Sequence, residues 1–390
     1  MAPRLPVADA GLELTWPQVL AFRLRRQRLE PRGTGGPPKL VAATAGIQAQ
    51  VASAAELAVG VRARTPRPGA VDRALWRDRT LVRTWAMRGT LHLLPAAEAP
   101  AYVAALSTVQ PWRQKAWEKY FGVTAKEVER INAAIGEALD GRVLTREELG
   151  AEVVRRAKAA KHAARLSSGW AELLKPAAFQ GLLCQGPPDG GRVTFTRPDT
   201  WISDWRAVSP DEGGAHVVRA YLRAHGPATI TDFGSWFARL RPNQVRPWFE
   251  RVADELVEVT VDGSPALALA TDLAVLRRSS PTTVVRLLPG FDQYVLAAPR
   301  NAEAILPKAL KAKVSRTAGW ISPVVIVGGR VVGVWELDRD AGRVDVELAE
   351  RVPKAALEAE VAHIAKATGL GALRLHSSSR DRGSRRTGVR

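Results

Sequence analysis

The sequence predicts an α+β protein made of tandem winged-helix units followed by a C-terminal β-rich α+β module. Two observations predict this. An order of two or three helices followed by a two-stranded hairpin recurs three times along the 390 residues. From about Val284 the pattern changes to strand-like segments with one amphipathic helix. Three helices followed by a β-wing is the order of a winged helix, which lays one helix in the major groove of DNA.

The first unit is expected within residues 1–108. Thr15 is placed to cap a helix beginning at Trp16, with Val19, Leu20 and Leu24 on its apolar face. Arginines mostly occupy the other face: Arg23, Arg25, Arg26 and Arg28. Three more helices are expected across Lys39–Ala45, Ala54–Arg64 and Ala70–Arg77. The stretch LVRTWAMRGTLHLL at 81–94 then predicts strand, turn at Gly89, and strand.

The second and third units are expected within 109–208 and 209–280. In the second, Thr145 and Glu148 form a capping box, 171–175 belongs to a further helix, and GLLCQGPPDGGRVTFTRP at 181–198 predicts a hairpin. In the third, the expected elements are the helix Ala215–Ala224, helices from Thr231 and from Pro242, and two strands about Asp262 and Gly263.

The C-terminal module is expected within 281–376. Strand-like segments occupy 284–297, 323–337 and 343–350, an amphipathic helix 353–369, and a last strand 371–376. Residues 377–390 form a basic tail that is expected to be disordered.

Charge indicates a polyanionic partner. The chain has 57 Lys and Arg against 39 Asp and Glu, a net charge of +18. Cationic surfaces bind nucleic acid because neutralised phosphates release their counterions. A GC-rich genome explains arginine in place of lysine but not the excess of cations. The N-terminus lacks the layout of a secretion signal, no apolar run is long enough to span a membrane, and Cys184 is the only cysteine. We therefore expect a protein of the cytoplasm, associated with the nucleoid.

Several kinds of active site are disfavoured. The six histidines never form H-x-x-x-H or pair with cysteine, so no metal or other cofactor is expected. The glycines at 328–333 lack the lysine of a phosphate loop and fit a hairpin turn. Cys184 lies in an apolar strand and is expected to be core. Asp292, in GFDQY, is the most suggestive acid for glycosidic chemistry, but a turn or cap is the favoured interpretation.

The remaining candidate is the amide pair Gln48 and Gln50. Side chains two residues apart converge on one site only if the backbone is extended or lies in the first turn of a helix. Gly46 and Ser53 suggest a helix boundary here. Taken alone, such a pair is a common accident of sequence.

The sequence resembles the winged-helix DNA glycosylases of the AlkZ and YcaQ type. The resemblance rests on six segments in order: GIQAQ at 46–50, RTWAMRGTLHLL at 83–94, LLCQGPPDGG at 182–191, AYLRAHGPATITDF at 220–233, LLPGFDQYVLA at 287–297 and PVVIVGGRVVGVWEL at 323–337. It implies a concave basic DNA channel and excision of N-alkylated purines from double-stranded DNA. Unhooking of interstrand crosslinks is known in some members. Gln48-Ala49-Gln50 matches the double-glutamine catalytic motif of the AlkZ-like branch, which is associated with self-protection in producers of DNA-alkylating natural products.

The resemblance also suggests roles for side chains. We expect Gln50 to position the attacking water and Gln48 to orient it or to contact the deoxyribose. Arg83, Arg88, Thr90 and His92, on the first hairpin, are candidates for DNA contact, with hairpin packing as the alternative. Three tryptophans are candidates for stacking on bases but are more safely assigned to the core: Trp85, Trp112 and Trp117. A monomer is expected, because the repeated units lie within one chain.

Two non-enzymatic interpretations stay open at this point. A winged-helix transcriptional regulator would bind a sequence-specific site without releasing a base. A catalytically silent lesion binder would use the channel as a sensor. Neither gives a special purpose to Gln48 and Gln50.

Overall fold

The computed structural model describes residues 5, 7–168, 172–298 and 302–379. Its helices alternate with four small sheets along the chain, which confirms the predicted α+β class. Within these residues, no helix is both long and apolar enough to cross a bilayer.

The first segment contains the predicted helices and hairpin. Its elements are β1 (Ala8–Leu14), α1 (Trp16–Arg26), α2 (Pro37–Ala42), β2 (Ile47–Gln48), α3 (Ala52–Gly60), α4 (Ala70–Asp72) continued by a π-helical turn (Arg73–Arg77), β3 (Leu81–Trp85) and β4 (Leu91–Pro95). Thr15 caps α1 as predicted, and its N–H donates to Oε1 of Gln18 (2.9 Å). β2, β4 and β3 form one antiparallel sheet in that order.

The placement of Arg23 on a solvent-facing side of α1 was wrong. Arg23 is buried, and its guanidinium donates to the carbonyls of Gly226 (3.3 Å) and Pro227 (2.9 Å). The third segment covers this face of α1, and the two carbonyls replace water around the charge. Burial lowers the pKa of Arg23.

The second segment follows the prediction except at one helix. It comprises α5 (Ala99–Leu106), α6 (Lys115–Phe121), α7 (Ala125–Ala138), β5 (Leu144–Thr145), α8 (Arg146–Ala157), α9 (Ala163–Leu166), α10 (Lys175–Phe179), β6 (Cys184–Asp189), β7 (Arg192–Thr196) and α11 (Pro198–Trp201). The Thr145–Glu148 capping box is present. The helix expected over 171–175 instead begins at Lys175, after a turn at 172–174, and residue 171 lies outside the described residues. Pro176, in the first turn of α10, suits a helix start.

The third segment has three helices and then two strands, in the order expected of a winged helix. The elements are α12 (Pro210–His225), α13 (Ile230–Phe237), α14 (Pro242–Glu250), β8 (Leu256–Val261), β9 (Ser264–Leu269) and α15 (Leu273–Arg278). β1, which the sequence analysis missed, pairs in parallel with β8. The start of the chain therefore completes the sheet of the third segment. Division of the chain at 108, 208 and 280 stays a prediction.

The C-terminal module is a five-stranded sheet. Its elements are β10 (Val285–Leu288), α16 (Gln293–Leu296), α17 (Lys311–Val314), β11 (Val324–Val327), β12 (Arg330–Asp338), β13 (Arg343–Leu348), α18 (Lys354–Thr368) and β14 (Arg374–Ser379). Neighbouring strands are antiparallel except β13 and β14. The strand expected over 284–297 ends at Leu288, because Asp292 starts α16. Residues 377–379, which were expected in the tail, instead extend β14, and 380–390 lie outside the described residues.

α3 packs between the first sheet and the C-terminal module. A Cβ added at Gly60 would lie 2.8 Å from that of Ala367, so the helices α3 and α18 approach closely at this point. Only a residue without a side chain allows that distance. The segment that follows the two glutamines is therefore held by two separate parts of the molecule.

Candidate active site

Gln48 ends the edge strand β2 of the first sheet, and Gln50 lies in the bend that follows this strand. Gln48 is directly opposite His92 of β4, and the pairing continues through Ala49, whose N–H donates to the carbonyl of Leu91 (2.6 Å). The chain bends at Gln50 before α3 begins at Ala52. Both glutamines lie against β4, Gln48 through its pairing with His92 and Gln50 through a side-chain hydrogen bond with Leu91.

The two amides differ in environment. Gln50 is exposed, and its Oε1 accepts the N–H of Leu91 (3.3 Å). Gln48 is only 7% exposed, and its amide makes no hydrogen bond within the described residues. The nitrogen and oxygen of this amide are not themselves fully buried, so its two donor hydrogens and its acceptor oxygen stay open to a water or a substrate. Gln48 therefore presents unused hydrogen-bonding groups beside an anchored Gln50.

His92 shares the Gln48 face of the sheet and is neutral. Its Nδ1 lies 2.9 Å from the carbonyl of Thr90, so Nδ1 carries the proton and Nε2 the lone pair. Nε2 is buried without a partner among the described residues. Burial, assisted by the positive charge of Arg88, lowers the pKa of His92 to about 3. Contact of this buried ring with DNA stays a prediction.

Arg83 anchors the residue between the glutamines. It pairs with Leu93 across the hairpin, which places it on the face opposite to His92. Its Nη2 donates to the carbonyl of Ala49 (2.7 Å). Ala49 is thus held through its carbonyl by Arg83 and through its N–H by β4. Arg83 fixes the motif in position, and a role for it in DNA contact stays a prediction.

Arg88 and Thr90 shape the turn of the hairpin. Thr90 donates its hydroxyl to the carbonyl of Met87 (3.2 Å). Arg88 has a left-handed backbone (φ 55°), and its Nη1 donates to the carbonyl of Trp236 in α13 (2.6 Å). Burial and the charge of Arg239 lower the pKa of Arg88 to about 10. The turn therefore joins the first and third segments and places two like charges near each other.

Asp292, the most suggestive acid in the sequence, is structural. Its carboxylate accepts two hydrogen bonds from Arg62 (2.7 Å each), and both side chains are fully buried. It also caps α16 by accepting the N–H of Tyr294 (2.9 Å). The interpretation of Asp292 as a cap is confirmed, and nothing exposes this carboxylate to a substrate.

A network of buried side-chain hydrogen bonds, which the sequence did not predict, reaches the turn at Thr44 that precedes β2. Arg62 donates to Oε1 of Gln27 (3.3 Å), and Nε2 of Gln27 donates to Nδ1 of His225 (3.1 Å). His225 then donates from Nε2 to the carbonyl of Thr44 (3.2 Å). Residues so far apart in sequence gave no local signal of this arrangement.

Glu56 is a half-buried carboxylate near the motif that the sequence analysis also missed. It lines a cavity of about 230 Å³ with Ala49, Asp72 and Arg83, on the face of the sheet opposite to His92. Burial raises its pKa, although backbone N–H groups at the start of α4 donate to it. Among the described acids near Gln48 and Gln50, Glu56 is the one best placed to act as a general acid or base in place of the two amides.

The remaining candidates belong to the core. Cys184 is buried, and burial raises the pKa of its thiol. Trp85 and Trp112 are buried, and Trp117 is half-buried. Among the described residues, no group of three or more His, Cys, Asp or Glu side chains is placed to hold a metal ion.

Comparison with known proteins defines the class. The family model of DNA glycosylase AlkZ-like proteins matches residues 41–369. An interstrand DNA cross-link repair glycosylase of Streptomyces sahachiroi is 41% identical over 367 residues, covering 93% of this chain and 99% of the relative. The solved structure of Streptomyces sahachiroi DNA glycosylase AlkZ has a TM-score of 0.89 and 40% identity, covering 94% of this chain and 100% of that one.

These likenesses define a DNA N-glycosylase, an enzyme whose substrate is DNA. The chain belongs to the AlkZ-like DNA glycosylase family. The resemblance noted in the sequence is confirmed, and a transcriptional regulator is not favoured.

Proposed function

We propose that the protein hydrolyses the N-glycosidic bond of N7-alkylguanine-type bases in double-stranded DNA and unhooks interstrand crosslinks. Its role would be self-protection against a DNA-alkylating natural product. The name of the Streptomyces relative, a cross-link repair glycosylase, supports the choice of substrate. The observation that carries the mechanism is the placement of both amides against β4: Gln48 pairs with His92 and makes no side-chain hydrogen bond among the described residues, and the exposed Gln50 accepts the N–H of Leu91.

The leaving base requires no protonation by the enzyme. An N7-alkylated guanine is already cationic and departs neutral, with the electron pair of the broken N-glycosidic bond. The sugar develops oxocarbenium character, and the oxygen of a water adds to C1′ while its proton passes to solvent. The protein must place that water and surround the sugar cation with electron-rich atoms. Two amides supply both without titrating.

Gln50 is assigned the placement of the water. Its carbonyl oxygen is oriented by the N–H of Leu91 and keeps a second lone pair for a water hydrogen. Gln48 is assigned the orientation of this water or a contact with the deoxyribose, because its amide makes no hydrogen bond in the described part of the chain and Gln50 lies only two residues further along. The hydrogen bond from Arg83 to the carbonyl of Ala49 keeps both glutamines in position.

The first hairpin is proposed to bind the lesion strand. Arg83, Arg88, Thr90 and His92 are its DNA-contacting residues, and Arg88 contributes a cation where the first and third segments meet. We further propose that the three helix-and-hairpin segments are winged helices that line a basic DNA channel. The enzyme is proposed to act as a monomer in the cytoplasm, at the nucleoid.

The test compares the wild type with Gln48→Ala/Gln50→Ala. A duplex carrying one N7-methylguanine is incubated with excess enzyme, and alkali then reveals abasic sites. We expect wild-type excision and its loss in the double variant, with DNA affinity unchanged within about threefold. Asn132→Ala, which removes another buried amide on α7, is the matched control. Unimpaired excision by the double variant would end the proposal.

A further inference from the structure

A cavity of about 800 Å³ lies next to the glutamine motif. One wall is the first turn of α3, where Ser53 and Ala54 follow Gln50 closely in sequence. The floor is strand β12 of the C-terminal sheet, and Trp320 lies at the opposite wall. Sites for small organic ligands have volumes of about 300–1,000 Å³. The cavity therefore has room for a group much larger than a methyl substituent.

Trp320 presents an aromatic surface to this cavity. Its side chain is 46% exposed, although large aromatic rings are usually covered. Its ring meets that of Phe291 edge to face, with centroids 5.0 Å apart and planes at 76°. In the described residues, no other ring and no cation stacks on the indole. A planar group entering the cavity can therefore stack on it.

The backbone is strained at Phe291, the residue whose ring contacts Trp320. Phe291 has a left-handed backbone (φ 60°), which is rare for a bulky residue and is found where function demands it. The next residue, Asp292, is fixed by its buried ion pair with Arg62. Gly290 lies so close to Ile321 that an added Cβ would be 2.9 Å from its carbonyl oxygen. These contacts fix the segment that carries Phe291, whose ring packs against the indole.

The rim of the cavity carries unpaired cations. Lys313 is paired with Glu347, and His376 with Asp345. Arg316 and Arg339 also line the cavity, and neither has a carboxylate partner within the described part of the chain. Two free guanidinium groups beside a free indole suit a ligand that joins an aromatic group to a phosphate backbone.

We propose that this cavity binds the planar aromatic substituent of a bulky N7-alkylguanine adduct. The substituent stacks on Trp320, and Arg316 and Arg339 bind phosphates of the strand that carries it. The inference rests on the proposed function and adds its specificity: the glutamines act on any N7-alkylguanine, whereas the cavity selects adducts with a large flat substituent. A methyl group has no flat surface that could stack on Trp320.

The experiment uses two duplexes of one sequence, one with N7-methylguanine and one with an N7-guanine adduct that carries a fused aromatic ring system. Single-turnover excision rates and dissociation constants are measured for wild type, Trp320→Ala and Trp320→Phe. We expect Trp320→Ala to lower the excision rate and affinity for the bulky adduct about tenfold, as loss of one stacking contact implies. Excision of N7-methylguanine should change less than about twofold, and Trp320→Phe should retain most of the activity on the bulky adduct. Tyr120→Ala is the matched control, since Tyr120 is exposed and does not line the cavity.

Equal losses on both duplexes, or no loss on the bulky adduct, would overturn the inference. Equal weakening of an unmodified duplex would show that the indole stacks on ordinary bases instead. If wild type released neither modified base, the proposed function would fail separately. The dissociation constants for the adduct duplex would still decide whether Trp320 recognises it.

Discussion

Gln48 lies directly opposite His92 in the first sheet, so an amide that makes no hydrogen bond to any described residue shares a face with a buried imidazole lone pair. The pKa of His92 is lowered to about 3, so it is not a proton donor at neutral pH. The polar groups around the motif therefore favour binding of neutral donors such as water over proton transfer. The contacts around this motif determine how substitutions and pH should affect the enzyme.

The buried histidines should make stability depend on pH. His92 and His225 both have their pKa lowered from about 6.5 to about 3 by burial, so the unfolded chain binds protons more readily. The contribution of these two neutral histidines to the free energy of unfolding is fully present above pH 6.5 and is lost as the pH falls toward 3. At pH 5 each accounts for a loss of up to about 2 kcal/mol. Urea unfolding of wild type and His225→Gln at pH 7.5 and 5 should show a smaller pH dependence in the variant, and identical dependence would contradict this.

The Arg62–Asp292 pair should matter for stability and not for chemistry. Removal of one partner leaves the other charged and buried, so Asp292→Ala should lower the free energy of unfolding by about 3–5 kcal/mol. Glu255→Ala, which breaks an exposed pair with Arg219, should change it by less than about 1 kcal/mol. Denaturant titration measures both. Asp292→Asn should retain the excision rate per folded molecule. Loss of excision by a folded Asp292→Asn enzyme would instead make Asp292 a catalytic candidate.

Arg83 should act through the position of Ala49. Arg83→Met removes the donor to the Ala49 carbonyl while keeping much of the side-chain volume. The single-turnover excision rate should fall about tenfold or more, because misplaced catalytic groups lose most of their effect. DNA affinity should fall less, and Arg83→Lys should recover part of the rate. A change in affinity alone would show that Arg83 is simply a DNA-binding cation.

Arg88 should contribute to DNA affinity in a way that salt reveals. If Arg88 neutralises one phosphate, Arg88→Ala should weaken binding and reduce the slope of log affinity against log salt by about 1. Arg330→Ala, which removes an exposed arginine paired with Glu350, should leave the slope unchanged. Fluorescence anisotropy over a range of salt concentrations gives both slopes. An unchanged slope in Arg88→Ala would confine Arg88 to its contact with Trp236.

The order of helices and hairpins was predictable because local signals produce it. The Thr145–Glu148 capping box and the Pro-Asp-Gly-Gly turn at 188–191 both depend on residues a few positions apart. Pairing of β1 with β8 and the contact between His225 and Thr44 depend on distant segments, for which a single sequence has no signal. Arg23 was misplaced for the same reason: the face that looked solvent-exposed is covered by the third segment.

The site was predictable only in part. The spacing of Gln48 and Gln50 limited convergence of the amides to an extended backbone or the first turn of a helix, whereas the structure has the end of an edge strand followed by a bend. Glu56 was overlooked, because a glutamate on a short helix is usually solvated and only the tertiary fold half-buries it. The sequence did not indicate a binding role for Trp320, because that role depends on the exposure of its indole and on the contact with the ring of Phe291.

The central claim is that two amides, which do not titrate, suffice for release of a cationic base. The most direct test is the single-turnover excision rate of N7-methylguanine between pH 5 and 6.5, with enzyme in excess. The amide mechanism predicts a rate constant within about twofold across this range. A wild-type rate that varies with pH in this range, or a loss of excision in Glu56→Gln that leaves DNA affinity unchanged, would assign the chemistry to Glu56 and contradict the account.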